Sequence, residues 1–187
     1  MLNETELKFR LKNLKFDESS ASYSGRRLGA VMAIFMATDN GPGLLFTKRS
    51  SRLAEHAGQI SFPGGAFEPG DENLEAAALR ETEEEIGIKA SELELLTSLP
   101  LQPVLDHWLI HPFAAWWAEP RPLDYSRDEV EKIIVVPLSE LRRQHQYECW
   151  LVPDTAKACR YLVSGEVLWG ATARIAGRLL DLLSAES

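Results

Sequence analysis

Cysteine is scarce in this chain. Only Cys149 and Cys159 are present among 187 residues, and with neither CxxC spacing nor a secretory context they argue against a disulfide framework and against a zinc site. Long apolar runs are missing as well: no stretch approaches the roughly 18 residues that a membrane helix requires. The start, Met1-Leu2-Asn3-Glu4-Thr5-Glu6-Leu7, is acidic and has no apolar leader segment. Positive charge is in deficit, with 20 Lys and Arg against 28 Asp and Glu and a net charge of -8. That makes extended nucleic-acid contacts a poor fit, because their affinity comes from neutralising phosphates. Repeats and linkers are also lacking. The expectation is a soluble, cytoplasmic protein with no membrane or nucleic-acid partner, its oligomeric state left open. The length suits one domain over residues 1–187, and 45% apolar with 26% charged residues is a globular composition.

The acid surplus is concentrated. Eight carboxylates, Glu68, Asp71, Glu72, Glu75, Glu81, Glu83, Glu84 and Glu85, fall between Glu68 and Glu85. Before them stands Phe62-Pro63-Gly64-Gly65-Ala66-Phe67-Glu68-Pro69-Gly70-Asp71, a stretch bent by glycine and proline. Asp71 is placed to cap a helix over about 72–86, and Gly87 sits where such a helix stops. On it Glu81, Glu84 and Glu85 stand at i, i+3 and i+4, three carboxylates on one face. Glu81 and Glu85 repel, and the one cation at i, i+4 reach is Arg80 towards Glu84, in the less favourable order. A Glu-rich segment is ordinarily a solvated helix face. Carboxylates crowded beside a glycine turn have a second use: they share a proton or collect a hard divalent cation, and the bare backbone can approach the same ion or a phosphate.

In chain order, residues 4–15 read as a short amphipathic helix with Leu7, Leu11 and Leu14 on one side. Asp17 to Gly25 is a serine-rich connection. Leu28 to Thr38 reads as a strand, which Gly41-Pro42-Gly43 turns into a second, Leu44 to Arg49. Leu93 to Leu101 and His107 to Ala118 are further strands around a loop bracketed by Pro100 and Pro103. Trp116 and Trp117 must face opposite ways, one packed inside and one shielding a surface. Asp124 to Glu131 reads as a charged loop, Ile133 to Val136 as a buried strand, and Pro137 to Leu141 as the start of a helix. Tyr147 to Val152 has strand character, and Leu168 to Leu183 is a packed helix. Strands interspersed with two substantial helices predict an α/β fold, helices on both faces of a mixed sheet.

Arg80-Glu81, Glu84-Glu85, Gly87 and Ile88 resemble the signature of the Nudix hydrolases, with a Nudix-like box over residues 65–88. Two departures mark it: Thr82 stands where an aliphatic residue is usual, and eight residues, one more than in the signature, separate Asp71 from Arg80. That insertion is similar to one branch, the coenzyme A diphosphatases. So is the segment Leu44-Leu45-Phe46-Thr47-Lys48-Arg49-Ser50, Leu53, His56, Gly58 and Phe62-Pro63-Gly64-Gly65, and so is Trp169-Gly170-Ala171-Thr172.

The resemblance implies an α/β/α sandwich with a mixed β-sheet and a metal-dependent hydrolase acting on a nucleoside diphosphate derivative. Coenzyme A or an acyl-CoA, cut to 3',5'-ADP and (acyl-)4'-phosphopantetheine, is the leading substrate. ADP-ribose or a dinucleotide is the alternative, and a non-catalytic nucleotide- or metal-binding module the second. Carried over by position, Glu81 and Glu85 are metal ligands, with Glu84 a further ligand or water-positioning carboxylate. A carbonyl from Gly64 or Gly65 completes the shell. Arg80 orients the glutamates. The general base in this family often comes from a loop outside the box, and Glu129 is the candidate, with Asp128 second. Arg49, Ser50, His56, Gly58 and Phe62 are the candidate substrate-binding residues, His56 having the ordinary alternative of a structural histidine. Arg26, Arg27, Lys48 and Arg52 could meet the 3'-phosphate of coenzyme A, but scattered basic residues are normally solvated and none is assigned. Magnesium is the expected ion, being hard and oxygen-seeking, with manganese as a substitute.

Overall fold

The computed structural model describes residues 2–14, 16, 25–104, 107–145, 149–150 and 158–184. In chain order it contains α1 (Glu4–Lys12), β1 (Arg27–Thr38), β2 (Gly41–Arg49), β3 (Ile60–Ser61), β4 (Gly64–Ala66), α2 (Leu74–Ile86) and β5 (Leu93–Ser98). There follow β6 (Gln102–Pro103), β7 (Trp108–Trp117), β8 (Val130–Pro137), α3 (Leu138–His145), β9 (Cys149–Trp150), β10 (Ala158–Cys159), β11 (Tyr161–Val163), β12 (Glu166–Leu168) and α4 (Gly170–Ser184).

Eight strands form one mixed sheet with the path β3-β2-β1-β7-β5, while β4 pairs with β1, β6 with β7 and β8 with β2. The β1–β7 pair is parallel and the remaining ladders of this sheet are antiparallel. Long apolar runs such as Val31 to Phe35 lack polar alternation because both faces are covered. Odd positions of β1 (Ala33, Phe35) join a core with α1, α3 and α4, whereas even ones (Ala30, Met32, Ile34) join a core under α2. The architecture is an α/β/α sandwich. Trp116 and Trp117 do face opposite ways, but both are buried, each in its own core. Neither shields a surface, because helices cover the sheet on both sides.

Several boundaries move for physical reasons. The turn between the first two strands is Asp39–Asn40, not Gly41-Pro42-Gly43: Thr38 Oγ1 donates to the Gly41 carbonyl and the glycines enter the ladder. Helix α2 starts two residues later than expected, capped by Asn73, whose side chain accepts from the Ala76 N–H at 2.9 Å. Asp71 instead accepts from the Glu68 N–H and from Arg80. Helix α1 ends at Lys12 with Leu7 and Leu11 fully buried. The strand at the charged loop begins at Val130 rather than Ile133. The serine-rich connection lies, up to residue 24, outside the described residues, as does most of the expected strand at 147–152. Cys159 is disulfide-bonded, against the expectation of unbridged cysteines. It stands opposite Cys149 in the β9–β10 ladder, a pairing made by chain reversal and invisible in the spacing of the two residues. No described helix is long and apolar enough to cross a membrane.

The ends of α2 are fixed by two residues. Gly87 closes the helix in the left-handed region at φ 69°, its N–H bonded to the Glu83 carbonyl, and a Cβ there would meet the Asp124 carbonyl at 2.7 Å. Asn73→Ala should therefore cost about 1 kcal/mol and Gly87→Ala at least as much. Urea denaturation measures both, and wild-type stability in Gly87→Ala would contradict the left-handed stop.

Candidate active site

The glycine turn exists to bring backbone against α2. Gly64 and Gly65 lie in β4, paired with Val31 and Ala30 of β1. A Cβ on Gly64 would stand 2.2 Å from the Ala30 carbonyl oxygen, and one on Gly65 2.5 Å from the Glu81 carboxyl carbon. Glu81 and Glu85 thus face bare main chain. Glu85 is only 4% exposed. It accepts from the Gly64 N–H. Its Oε1 stands 3.7 Å from Arg49 Nη1 and its buried Oε2 has no partner. Burial pushes its pKa up to about 8, with Arg49 opposing the rise incompletely. Glu81, half-buried one turn earlier, is also raised, again by loss of solvation, while the hydrogen bond from Arg80 pulls the other way.

Arg80 organises the outer side of this face. Its Nε donates to Asp71 Oδ1 at 2.9 Å, and its Nη1 to Glu81 Oε1 and Glu84 Oε2 at 2.9 Å each. Its Nη2 reaches the Ala66 carbonyl and Asp71 Oδ2. The hydrogen bond to Asp71 raises the guanidinium pKa most, and the same contact holds the Asp71 carboxyl below its ordinary range. Sequence reasoning missed this anchor. Glu84 itself is exposed.

From the other side, β2 delivers Arg49, whose Nε is buried and without a partner. The Ser50 N–H donates to the Glu129 carbonyl at 2.8 Å, so the end of β2 pins the loop that carries the proposed base. Ser50 is buried and its Oγ accepts from the Arg52 N–H. Gly58, at φ 70°, donates its N–H to the Arg49 carbonyl, and His56 is exposed with Nδ1 3.2 Å from Gln59 Oε1. Phe62 is buried and stacked on Phe46 at 4.8 Å between centroids, which makes it a core residue that fixes Pro63 and Gly64 rather than a surface for a ligand. Asp128 is exposed and paired with Arg52. Glu129 is exposed, and its charge adds to the upward shift of both Glu81 and Glu85.

Among the described residues no three His, Cys, Asp or Glu side chains form a ready-made metal cage. Arg80 holds Glu81 and Glu84 apart from Glu85, which faces Arg49. The donor set nevertheless fits a hard cation. Two desolvated carboxylates with raised pKa values stand against the glycine pair, Glu81 at Gly65 and Glu85 at Gly64, and Glu85 Oε2 has a buried lone pair that nothing satisfies.

The sign of the resulting pH effect is fixed by the direction of the Glu85 shift. Its folded value of about 8 exceeds the ordinary 4.5, so over that window the folded state holds a proton the unfolded state has lost. Stability of the metal-free protein should fall as pH rises from about 4.5 towards 8. Glu85→Gln should raise the Tm at pH 8 by at least ~2–4 °C, about 1 kcal/mol, and the gain should vanish near pH 5. Calorimetry in EDTA reads this difference; a pH-independent difference would contradict it.

The NUDIX domain family model matches residues 26–151. A Nudix hydrolase NudL of Citrobacter koseri is 38% identical over 139 residues, covering 72% of this chain and 71% of the relative. Among solved structures, a MutT protein from Methanosarcina mazei Go1 superposes with a TM-score of 0.57 at 17% identity, over 89% of this chain and all of that one. A C. elegans Ap4A hydrolase in a binary complex gives 0.53 at 21% identity, over 64% and 86%. These two structural matches carry the fold. With the family model spanning more than half of the chain and a relative above 30% identity over most of both lengths, this chain belongs to the Nudix family and is a hydrolase of nucleoside diphosphate derivatives.

Proposed function

We propose that the enzyme hydrolyses coenzyme A or an acyl-CoA at its diphosphate, releasing 3',5'-ADP and 4'-phosphopantetheine or its acyl form. The observation that supports this reading is the Arg49–Glu85 contact at 3.7 Å. It joins the segment resembling the coenzyme A branch to the acidic box in one site, so the two motifs act on the same substrate.

Magnesium, with manganese as a substitute, would be held by Glu81 and Glu85 with help from Glu84 and a carbonyl of Gly64 or Gly65, and would neutralise phosphate charge and acidify the attacking water. Arg80 keeps Glu81 and Glu84 in orientation and does not touch substrate. Glu129 takes the proton of the attacking water. One P–O bond forms to the water oxygen, the bridging P–O bond breaks, and the leaving phosphate departs with the electron pair. The Ser50 N–H holds the Glu129 backbone beside Arg49 during this step. Arg49 lies between the acids and the substrate, and relieving its buried, unpartnered Nε with a phosphate oxygen is favourable. His56 and Gly58 shape the loop that follows Arg49.

A magnesium-dependent screen over coenzyme A, its acyl esters, dephospho-coenzyme A, ADP-ribose, NADH and diadenosine polyphosphates tests the substrate. Coenzyme A or a thioester should lead, and one charge-assisted contact to the 3'-phosphate should favour it over the dephospho form by roughly 10- to 150-fold. Glu129→Gln should lower kcat by about 10²- to 10⁴-fold in a folded protein. Equal kcat/KM for coenzyme A and ADP-ribose would remove the substrate assignment.

A further inference from the structure

Two arginines and a tryptophan lie just past the glycine pair, and the mechanism above does not use them. Arg26 and Arg27 lead into β1, both exposed, and neither has a carboxylate partner among the described residues. Arg10, Arg49, Arg52, Arg80 and Arg121 each face an acid, whereas Arg127 and Arg178, like Arg27, lie over aromatic rings. Arg27 is instead set over Trp108, its guanidinium carbon 5.7 Å from the ring centroid, the two residues being partners in the parallel β1–β7 ladder. A half-exposed indole with a guanidinium on it is a stacking surface beside positive charge.

Gly29 connects this shelf to the acids. A Cβ on Gly29 would stand 2.8 Å from the Gly65 carbonyl oxygen and 3.4 Å from Cζ3 of Trp108, so the ring edge and that carbonyl flank one point. A Cβ on Gly65 would in turn meet the Glu81 carboxylate. Glu81, Gly65, Gly29, Trp108 and Arg27 are therefore successive neighbours, with the Ile110 side chain, 3.0 Å from the same Gly29 point, among them. Trp108 shares its face of β7 with Trp116, on the α4 side, whereas Glu81 stands on the α2 side. Arg27 is the first residue of β1, so the shelf lies at the end of that strand, and a substrate running from the acids to the shelf would pass around this end.

We propose that the Arg26–Arg27–Trp108 shelf binds the phosphorylated nucleoside end of the substrate. The base stacks on the Trp108 ring in place of the Arg27 guanidinium, and Arg26 and Arg27 together receive a phosphate carried on the sugar. Displacing the guanidinium costs little, since a solvent-exposed cation–π contact is weak. Stacking on an aromatic face tolerates any base, so discrimination comes from the extra phosphate. The identity of that end as a 3'-phosphorylated adenosine rests on the proposed function; the shelf itself rests on the geometry.

The test is calorimetric titration of full-length protein in EDTA with 3',5'-ADP and with 5'-AMP, alongside tryptophan fluorescence. Wild type should bind 3',5'-ADP roughly 10- to 150-fold more tightly than 5'-AMP. The double variant Arg26→Ser/Arg27→Ser should abolish that difference. Trp108→Leu should weaken both nucleotides and lose the fluorescence quench, while Trp108→Phe, which keeps a ring, should retain most affinity. If folded variants bind both nucleotides as wild type does while coenzyme A is still cleaved, the shelf is refuted and the substrate assignment stands. If coenzyme A is not cleaved but Trp108→Leu still weakens nucleotide binding, the shelf stands and the substrate assignment falls. Absence of measurable binding of either nucleotide to wild type would also overturn the shelf.

Discussion

Everything at this site depends on a main chain that passes too close to its neighbours to carry side chains. Gly64 runs against β1 with a φ of 148°, and any Cβ there would overlap the Ala30 carbonyl. That approach lets the Gly64 N–H reach Glu85 and lets Gly65 lie flat on the Glu81 carboxylate. A side chain at Gly64 would push β4 off β1, and one at Gly65 would push Glu81 and α2 away from the turn. The two acids would then regain water, and with it ordinary carboxylate behaviour. Desolvation by bare backbone is what distinguishes Glu81 and Glu85 from Glu83, which is exposed on the same helix.

Two guanidiniums divide the acidic face between them. Arg80 binds Asp71, Glu81 and Glu84 with well-formed hydrogen bonds. Arg49 stands off Glu85 at 3.7 Å, and each of this second pair keeps a buried polar atom unsatisfied. The first arrangement is a structural clamp with little left to gain. The second is poised: both partners gain when a cation meets the carboxylate and a phosphate meets the arginine, because each orphaned atom then finds a partner. On the proposed reading, cation and substrate phosphate together remove the cost of these unsatisfied atoms. Stability is lower there so that binding energy has somewhere to act.

Much of this was legible in the sequence because the periods were unambiguous. The i, i+3, i+4 spacing of Glu81, Glu84 and Glu85, the stop at Gly87 and the long β1 run all appear in the fold as read. What failed to show was whatever depends on chain reversal. The sequence points to Asp71 as a cap because aspartate before a helix usually is one, yet Asn73 is nearer the first turn and takes the role, freeing Asp71 for Arg80. Strand alternation makes Trp116 and Trp117 an inside–outside pair but says nothing about how many faces are covered, and Trp117 is buried in the second core. The disulfide of Cys159 and the burial of Phe62 likewise come from long-range packing, which residue spacing cannot carry.

The segment that resembles the coenzyme A branch therefore mixes residues of two kinds. Arg49 faces the acids, but Ser50 acts through its backbone N–H on Glu129, Phe62 packs against Phe46, and Gly58 returns a bond to the Arg49 carbonyl. Only the first of these has a free group to offer a substrate. The others set the position of Arg49, Glu129 and Gly64 relative to one another, across three elements that share no local sequence. A short motif of this kind is a recipe for geometry more than a roll of contacts. The groups that read the rest of the substrate must then lie outside it, on strands whose residues are chosen by what the ligand is and not by how the turn is built.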